Sequence, residues 1–174
     1  MFTAQLDKMG PFAIRYPRGR GVLPDWQKPM QKIEVGTGRM IRDGEDLAIL
    51  SIGHIGNLVT QAIEKLSNDN ISVAHYDMRF LKPIDETLLH QVGKKFKKVI
   101  TVEDGTIIGG LGSAVLEFFA DQNYRPQVTR LGVPDHFIDH GSQEQLYKEC
   151  GYDIQGICQT VKALVKPGIL SNAG

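Results

Sequence analysis

The stretch GRMIRDGEDLAILSIG, residues 38–53, decides the architecture. Its second half, LAILSIG (47–53), is apolar at consecutive positions, so both faces of the strand must be buried, as in a sheet covered by helices on both sides. Asp43-Gly44 just before it is a tight-turn signal between two strand-like runs, which predicts a hairpin. The strand before that turn must then run antiparallel, at an edge.

The pattern repeats going outward. After Gly56-Asn57, Leu58, Ala62, Ile63 and Leu66 recur at helical spacing. ISVAHYDMRF carries a strand over 71–76. Pro83-Ile84-Asp85 then opens the helix DETLLHQVGKKF, with Asp85 placed to cap it. VITVED (99–104) is a third apolar strand, and its turn GTIIGGLGS leads into the helix AVLEFFADQ. QVTRLGV (127–133) is the last strand, and two helices close the chain near 142–150 and 153–165. Strands alternating with helices predict an α/β fold: a three-layer α/β/α domain around a mostly parallel sheet of about five strands with one antiparallel edge strand. Upstream, FAIRY (12–16) alternates like a short strand and stops at Pro17. PRGRGVLPDWQKP has no period and reads as a linker, and the tail KPGILSNAG as loose.

Twenty basic and twenty acidic residues cancel, so overall charge points to neither nucleic acid nor a membrane surface. No apolar run approaches the roughly 20 residues of a membrane span. The start, MFTAQLDKMGPF, lacks the basic and apolar regions of a signal peptide. Cys150 and Cys158 are too few for a disulfide framework and lack zinc-ligand spacing. A reducing cytoplasm is the expected home.

Each candidate for chemistry has a structural reading beside it. Gly105, Gly109, Gly110 and Gly112 superficially match a dinucleotide fingerprint, but lie in the third strand–helix unit at the wrong spacing. A sharp turn with close helix packing is the favoured reading, a weak anion site at the helix N–H groups the alternative. Gly53 and Gly56, after the first parallel strand, have no basic partner and make a poor phosphate loop. KKFKK (94–98) reads as a solvated helix end. His54, His75 and His90 stand alone in sequence, and the two cysteines are expected to pack in the closing helices. In VPDHFIDHGS (133–142), a metal site would need His136 and His140 on one helical face. Pro134 and Gly141 leave little room for that helix, and no third ligand is signalled. A loop is expected there, with Ser142 capping the next helix. Arg18, between Pro17 and Gly19, suits bidentate capture of phosphate or carboxylate, although a surface arginine in a linker is the plainer reading of that residue alone.

RYPRG, GTGRMIRDGEDLAILSIG, YDMRFLKPID, ITVEDGTIIGGLGSAV and GVPDHFIDHGSQEQL, in this order and spacing, resemble the C-terminal part of thiamin-diphosphate enzymes of the transketolase family. The resemblance covers residues 2 to 165. Transketolases and the β subunits of 2-oxo-acid dehydrogenases share the fold and an EDG/GG-like turn. RYPRG and PDxFIxHG point instead to the synthase branch, which condenses pyruvate with D-glyceraldehyde 3-phosphate with loss of CO2 for isoprenoid-precursor, thiamin and pyridoxal biosynthesis. The resemblance implies that residues 1–19 are the tail of a preceding pyrimidine-binding domain, 20–32 a linker, 33–166 a transketolase-type C-terminal domain and 167–174 a loose tail. It implies a transferase using thiamin diphosphate and Mg2+ when whole. No GDG followed about thirty residues later by Asn occurs here, as the family's metal motif requires; Gly44-Glu45-Asp46 and Glu103-Asp104-Gly105 are not that motif. No cofactor, metal ligand or catalytic residue is therefore expected in this piece, which alone should be inactive. Its implied partners are the N-terminal and middle domains of the same chain, a second copy in a homodimer, and small-molecule substrates. Arg18 takes the family role of contacting the aldehyde's phosphate, and no family role makes His136 or His140 catalytic. The competing readings are a stand-alone assembly or regulatory module, and the C-terminal domain of a 2-oxo-acid dehydrogenase β subunit.

Overall fold

The computed structural model describes residues 2–6, 10–17 and 29–165. Two strands open the sheet, β1 (Arg39–Arg42) and β2 (Leu47–Ile52). As its composition requires, β2 is buried from Leu47 to Ser51 and lies at the sheet's centre. With β3 (Val73–Asp77), β4 (Lys98–Thr106) and β5 (Gln127–Val133) the order is β1-β3-β2-β4-β5. β2, β3, β4 and β5 pair in parallel; β1 is antiparallel at the edge.

One expectation is corrected. β1 and β2 are not a hairpin, because β1 pairs with β3, Arg39 opposite Asp77 and Met40 opposite Tyr76. β2 already has a parallel neighbour on each side and offers β1 no free edge. The turn at Asp43-Gly44 instead carries the chain across the start of β3. There Glu45 N–H and Asp46 N–H donate to Ser72 O at 3.2 and 2.8 Å, and Ser72 N–H donates to Asp46 Oδ2 at 2.7 Å. A Cβ on Gly44 would overlap the Val73 backbone, so only glycine passes.

Helices cover both faces. α2 (Gly56–Leu66) and α6 (Ile154–Val165) bury Val59, Ile63, Leu66, Ile157 and Val161 against Leu47, Ile49, Val73 and Ile100. α3 (Glu86–Lys95) and α4 (Leu111–Asp121) bury Leu89, Val92, Val115 and Phe119 against Ala48, Leu50, Ala74 and Val99 on the other face. Each large side chain so buried contributes about 1.5–3 kcal/mol. Asp85 caps α3 as expected: its side chain accepts from Leu88 N–H at 2.9 Å and from Gly38 N–H at 2.7 Å. Ser142 and Gln145 form a capping box at α5 (Gln143–Glu149).

FAIRY is not a strand: residues 11–17 have no regular structure, are exposed and pair with none of the five strands. A short helix not foreseen, α1 (Phe2–Leu6), buries Thr3, whose Oγ1 accepts from Ile33 N–H at 2.9 Å. Among the described residues, no helix is long and apolar enough to cross a membrane.

Candidate functional site at the carboxyl ends of the strands

From β2 the chain goes to β3 on one side, then returns over β2 to β4 on the other. That reversal leaves a crevice outside the carboxyl ends of β2 and β4, where open α/β sheets bind ligands. His54, in the 3-10 turn Gly53–Ile55 after β2, lies there with Glu103 and Asp104 near the end of β4.

His54 Nε2 sits 2.9 Å from Tyr147 Oη and 3.4 Å from Asp104 Oδ2. Buried Tyr152 donates its hydroxyl to Asp104 Oδ1 at 3.0 Å, and the Tyr147 and Tyr152 rings lie 5.2 Å apart. Burial pushes both phenols up, and the Asp104 charge pushes them further, so both keep their protons. The cluster ties α5 and the turn before α6 to the sheet. Beside it a cavity of about 250 Å³ is lined by Asp104, Val133, Ile138, Leu146, Cys150 and Tyr152, among others. Burial, then Glu149 and Asp104, push the Cys150 thiol up, away from nucleophilic thiolate.

Glu103 settles the reading of the glycine-rich turn. Its carboxylate, 5% exposed, accepts from Leu111 N–H (2.8 Å) and Gly112 N–H (3.0 Å), filling the N-terminus of α4 from within. A Cβ on Gly110 would overlap that carboxylate, and one on Gly112 would meet Arg130 and Thr101 side chains at 2.7 Å. Arg130 Nη1 also donates to Ile107 O at 2.6 Å. Close packing explains Gly110 and Gly112, a left-handed turn (φ 77) explains Gly109, and the helix end is no free anion site.

The incoming segment reaches the same rim. A Cβ built on Gly105 would lie 2.8 Å from Arg15 Nη1 and 3.3 Å from Glu103 Oε2, so guanidinium and carboxylate flank one bare Cα. Beyond β3, Arg79 holds a left-handed backbone (φ 54), its N–H donating to Asp77 Oδ1 at 3.1 Å. A non-glycine residue so strained at a strand end is a functional candidate.

Arg18 lies outside the described residues. His136 and His140 are exposed in the loop after β5, not on a helix, and among the described residues no three His, Cys, Asp or Glu side chains gather as a metal site. His75 is internal: Nε2 lies 2.8 Å from Ser51 Oγ, and burial pushes its pKa down to about 4. His90 Nδ1 lies 2.9 Å from Tyr124 Oη. Cys158, in α6, donates to Ala62 O at 3.5 Å. In the lysine run, Lys95 bonds Asp43 (3.0 Å) and Glu45 (2.9 Å), and Lys98 donates to Leu164 O at 2.7 Å, so it is partly structural rather than only a solvated end. Arg15, Arg79 and the His54–Asp104–Tyr147–Tyr152 cluster were missed in the sequence. The available signal was two adjacent carboxylates, Glu103 and Asp104, at a strand's carboxyl end.

The family model "Transketolase, C-terminal domain" matches residues 36–157. Proteins named 1-deoxy-D-xylulose-5-phosphate synthase match over most of the chain. That of Cytophaga hutchinsonii is 61% identical over 165 residues, 94% of this chain and 26% of its own length. That of Bacteroides fragilis is 59% identical over 162 residues, 92% of this chain and 25% of its own. A solved structure described as a split-gene transketolase, inactive beta4 tetramer, superposes with a TM-score of 0.72 at 30% identity, covering 78% of this chain and 44% of that one. The chain thus spans about a quarter of the length of the curated relatives it matches.

Proposed function

Since this chain belongs to the transketolase C-terminal domain family, we propose that it is the C-terminal part of a 1-deoxy-D-xylulose-5-phosphate synthase. The observation that carries this is 61% identity over 165 residues to a protein of that name. The whole enzyme condenses pyruvate with D-glyceraldehyde 3-phosphate, releasing CO2, in the cytoplasm. Residues 1–19 end the preceding domain, 20–32 link it, 33–166 form this domain and 167–174 trail from it.

Such enzymes use thiamin diphosphate with Mg2+, which supplies the carbanion chemistry when bound. The described residues do not fit that group. The N–H groups of Leu111 and Gly112, the helix end open to an anion on sequence grounds, already donate to Glu103, and no cluster of three potential metal ligands exists among the described residues. The cofactor belongs to the remainder of the polypeptide, and no chemical step is assigned to this domain. Its tasks are to complete the rim that faces the substrate, to present Arg18 to the aldehyde's phosphate, and to pair with a second copy.

Transplanting this chain for the matching segment of the Cytophaga hutchinsonii relative gives a testable enzyme. In that chimera Arg18→Ala raises KM for D-glyceraldehyde 3-phosphate by about tenfold or more, the scale of one lost charge-assisted contact. KM for pyruvate stays constant. Equal KM values for the phosphorylated aldehyde in both proteins overturn Arg18's role. The isolated chain should sediment as a dimer; a 19.3 kDa species alone at high concentration refutes pairing through this domain.

A further inference from the structure

We propose that the cavity between the end of β4 and α5 binds a small organic ammonium ion, held by the Asp104 carboxylate with Tyr147, Tyr152 and an apolar wall around it. The lining sets the charge of the occupant. Val133, Ile138 and Leu146 supply apolar surface, and the two tyrosines supply aromatic sides. Among the described residues that line the cavity, Asp104 is the only charged one, and no Lys, Arg or His borders it. An apolar cleft with one carboxylate and aromatic sides favours a cation with an apolar body. An anion there would lose its hydration and meet repulsion. The volume of about 250 Å³ lies below the roughly 300–1,000 Å³ of drug-sized sites, so the occupant is a molecule of a few carbons.

Asp104 has acceptor capacity left for such a ligand. Its Oδ1 accepts from the Tyr152 hydroxyl at 3.0 Å, which fixes the carboxylate. Its Oδ2 stands 3.4 Å from His54 Nε2, beyond ordinary N–H···O hydrogen-bond length. That nitrogen lies closer to Tyr147 Oη, at 2.9 Å. The Asp104 side chain keeps 28% of its surface accessible and borders the cavity, so a ligand N–H has an acceptor to meet there.

The protons on the neighbouring groups register the same field. Tyr147, Tyr152 and Cys150 all border the cavity, and each holds its proton more firmly than usual. Burial is the first cause in all three. Negative charge is the next: that of Asp104 on both tyrosines, and those of Glu149 and Asp104 on the cysteine. No neighbouring cation draws any of them back. A field of one sign at three separate side chains stabilises a positive ligand and repels a negative one.

The test is an NMR titration of the isotope-labelled 174-residue chain with butylammonium, 1-butanol and butyrate, three small molecules of like carbon skeleton that differ in charge. Ionic strength is held constant, so that screening is the same in all three. Butylammonium should shift the amide signals of Val133, Ile138, Leu146, Cys150 and Tyr152 saturably. Binding of 1-butanol should be weaker by about tenfold or more, and butyrate should leave those signals unmoved. Asp104→Asn keeps an acceptor for the Tyr152 hydroxyl. It should weaken butylammonium by about tenfold or more and leave 1-butanol within about twofold, because only the ammonium contact depends on the charge. If that variant does not fold, the three-way comparison on the unaltered chain decides by itself. The proposal is overturned if 1-butanol or butyrate binds as tightly as butylammonium, or if Asp104→Asn binds butylammonium at full strength. Shifts confined to other surfaces, or none that saturate, overturn it equally.

Discussion

Lowering the pH from about 7 to about 4 should unfold this domain partly through one residue, His75. Its ring lies in β3 at 1% exposure, with Nε2 2.8 Å from Ser51 Oγ and Nδ1 without a hydrogen-bond partner among the described residues. Burial pushes its pKa from 6.5 to about 4, opposed by the Asp77 charge and slightly reinforced by Arg39. Above pH 6.5 the imidazole is neutral folded or unfolded and adds no pH dependence. Between 6.5 and about 4 the unfolded chain takes up a proton that the folded chain refuses, so stability falls as pH falls through that window. The slope approaches 1.4 kcal/mol per pH unit and the total is about 3 kcal/mol, a large part of the 5–15 kcal/mol typical of a domain. The assay is urea unfolding of the 174-residue chain at half-unit pH steps, for the parent and for His75→Gln. Carboxylates titrate in both, so the difference in slope isolates His75. The variant should lose less stability between pH 6.5 and 4.5. Parallel curves, or an imidazole resonance titrating near 6.5 in the folded chain, would refute the reasoning.

Three further outcomes follow from single contacts. Glu103→Gln removes one of two acceptors at the α4 N-terminus and turns an amide N–H2 toward a backbone N–H; it should cost about 2 kcal/mol in urea unfolding at neutral pH, and a change below about 0.5 would contradict the cap. Gly44→Ala places a methyl on the Val73 backbone, which cannot move aside without unpairing β3; expression as insoluble protein, or a loss above about 3 kcal/mol, is expected, and a normal melting curve would contradict the crossover. Tyr152→Phe removes the buried hydroxyl bonded to Asp104 and should cost about 1–2 kcal/mol, with faster hydrogen exchange in α5, where an unaffected helix would mean the cluster does not hold it.

The layering was legible in the sequence because it depends on local signals. LAILSIG states its two-sided burial by itself, Asp85 and Ser142 announce their helices, and β5 begins and ends where QVTRLGV does. The partner of β1 was not legible. Asp43-Gly44 specifies that the chain turns, but which strand lies beside it depends on β2 having neighbours on both sides, a property of the whole sheet. The rim was hidden for the same reason. His54 meets Tyr147 across 93 residues and Tyr152 meets Asp104 across 48, with no spacing rule linking them. Arg15 drew no notice because Gly105, which its guanidinium approaches, looked like one more turn glycine.

The most direct measurement is the rate at which the chimera, this chain replacing the matching 165 residues of the Cytophaga hutchinsonii relative, turns over pyruvate and D-glyceraldehyde 3-phosphate with thiamin diphosphate and Mg2+. The account predicts turnover within about tenfold of the unaltered relative, since the cofactor site lies outside the exchanged segment. A folded chimera that binds thiamin diphosphate but yields no product would contradict the assignment of this chain to that enzyme.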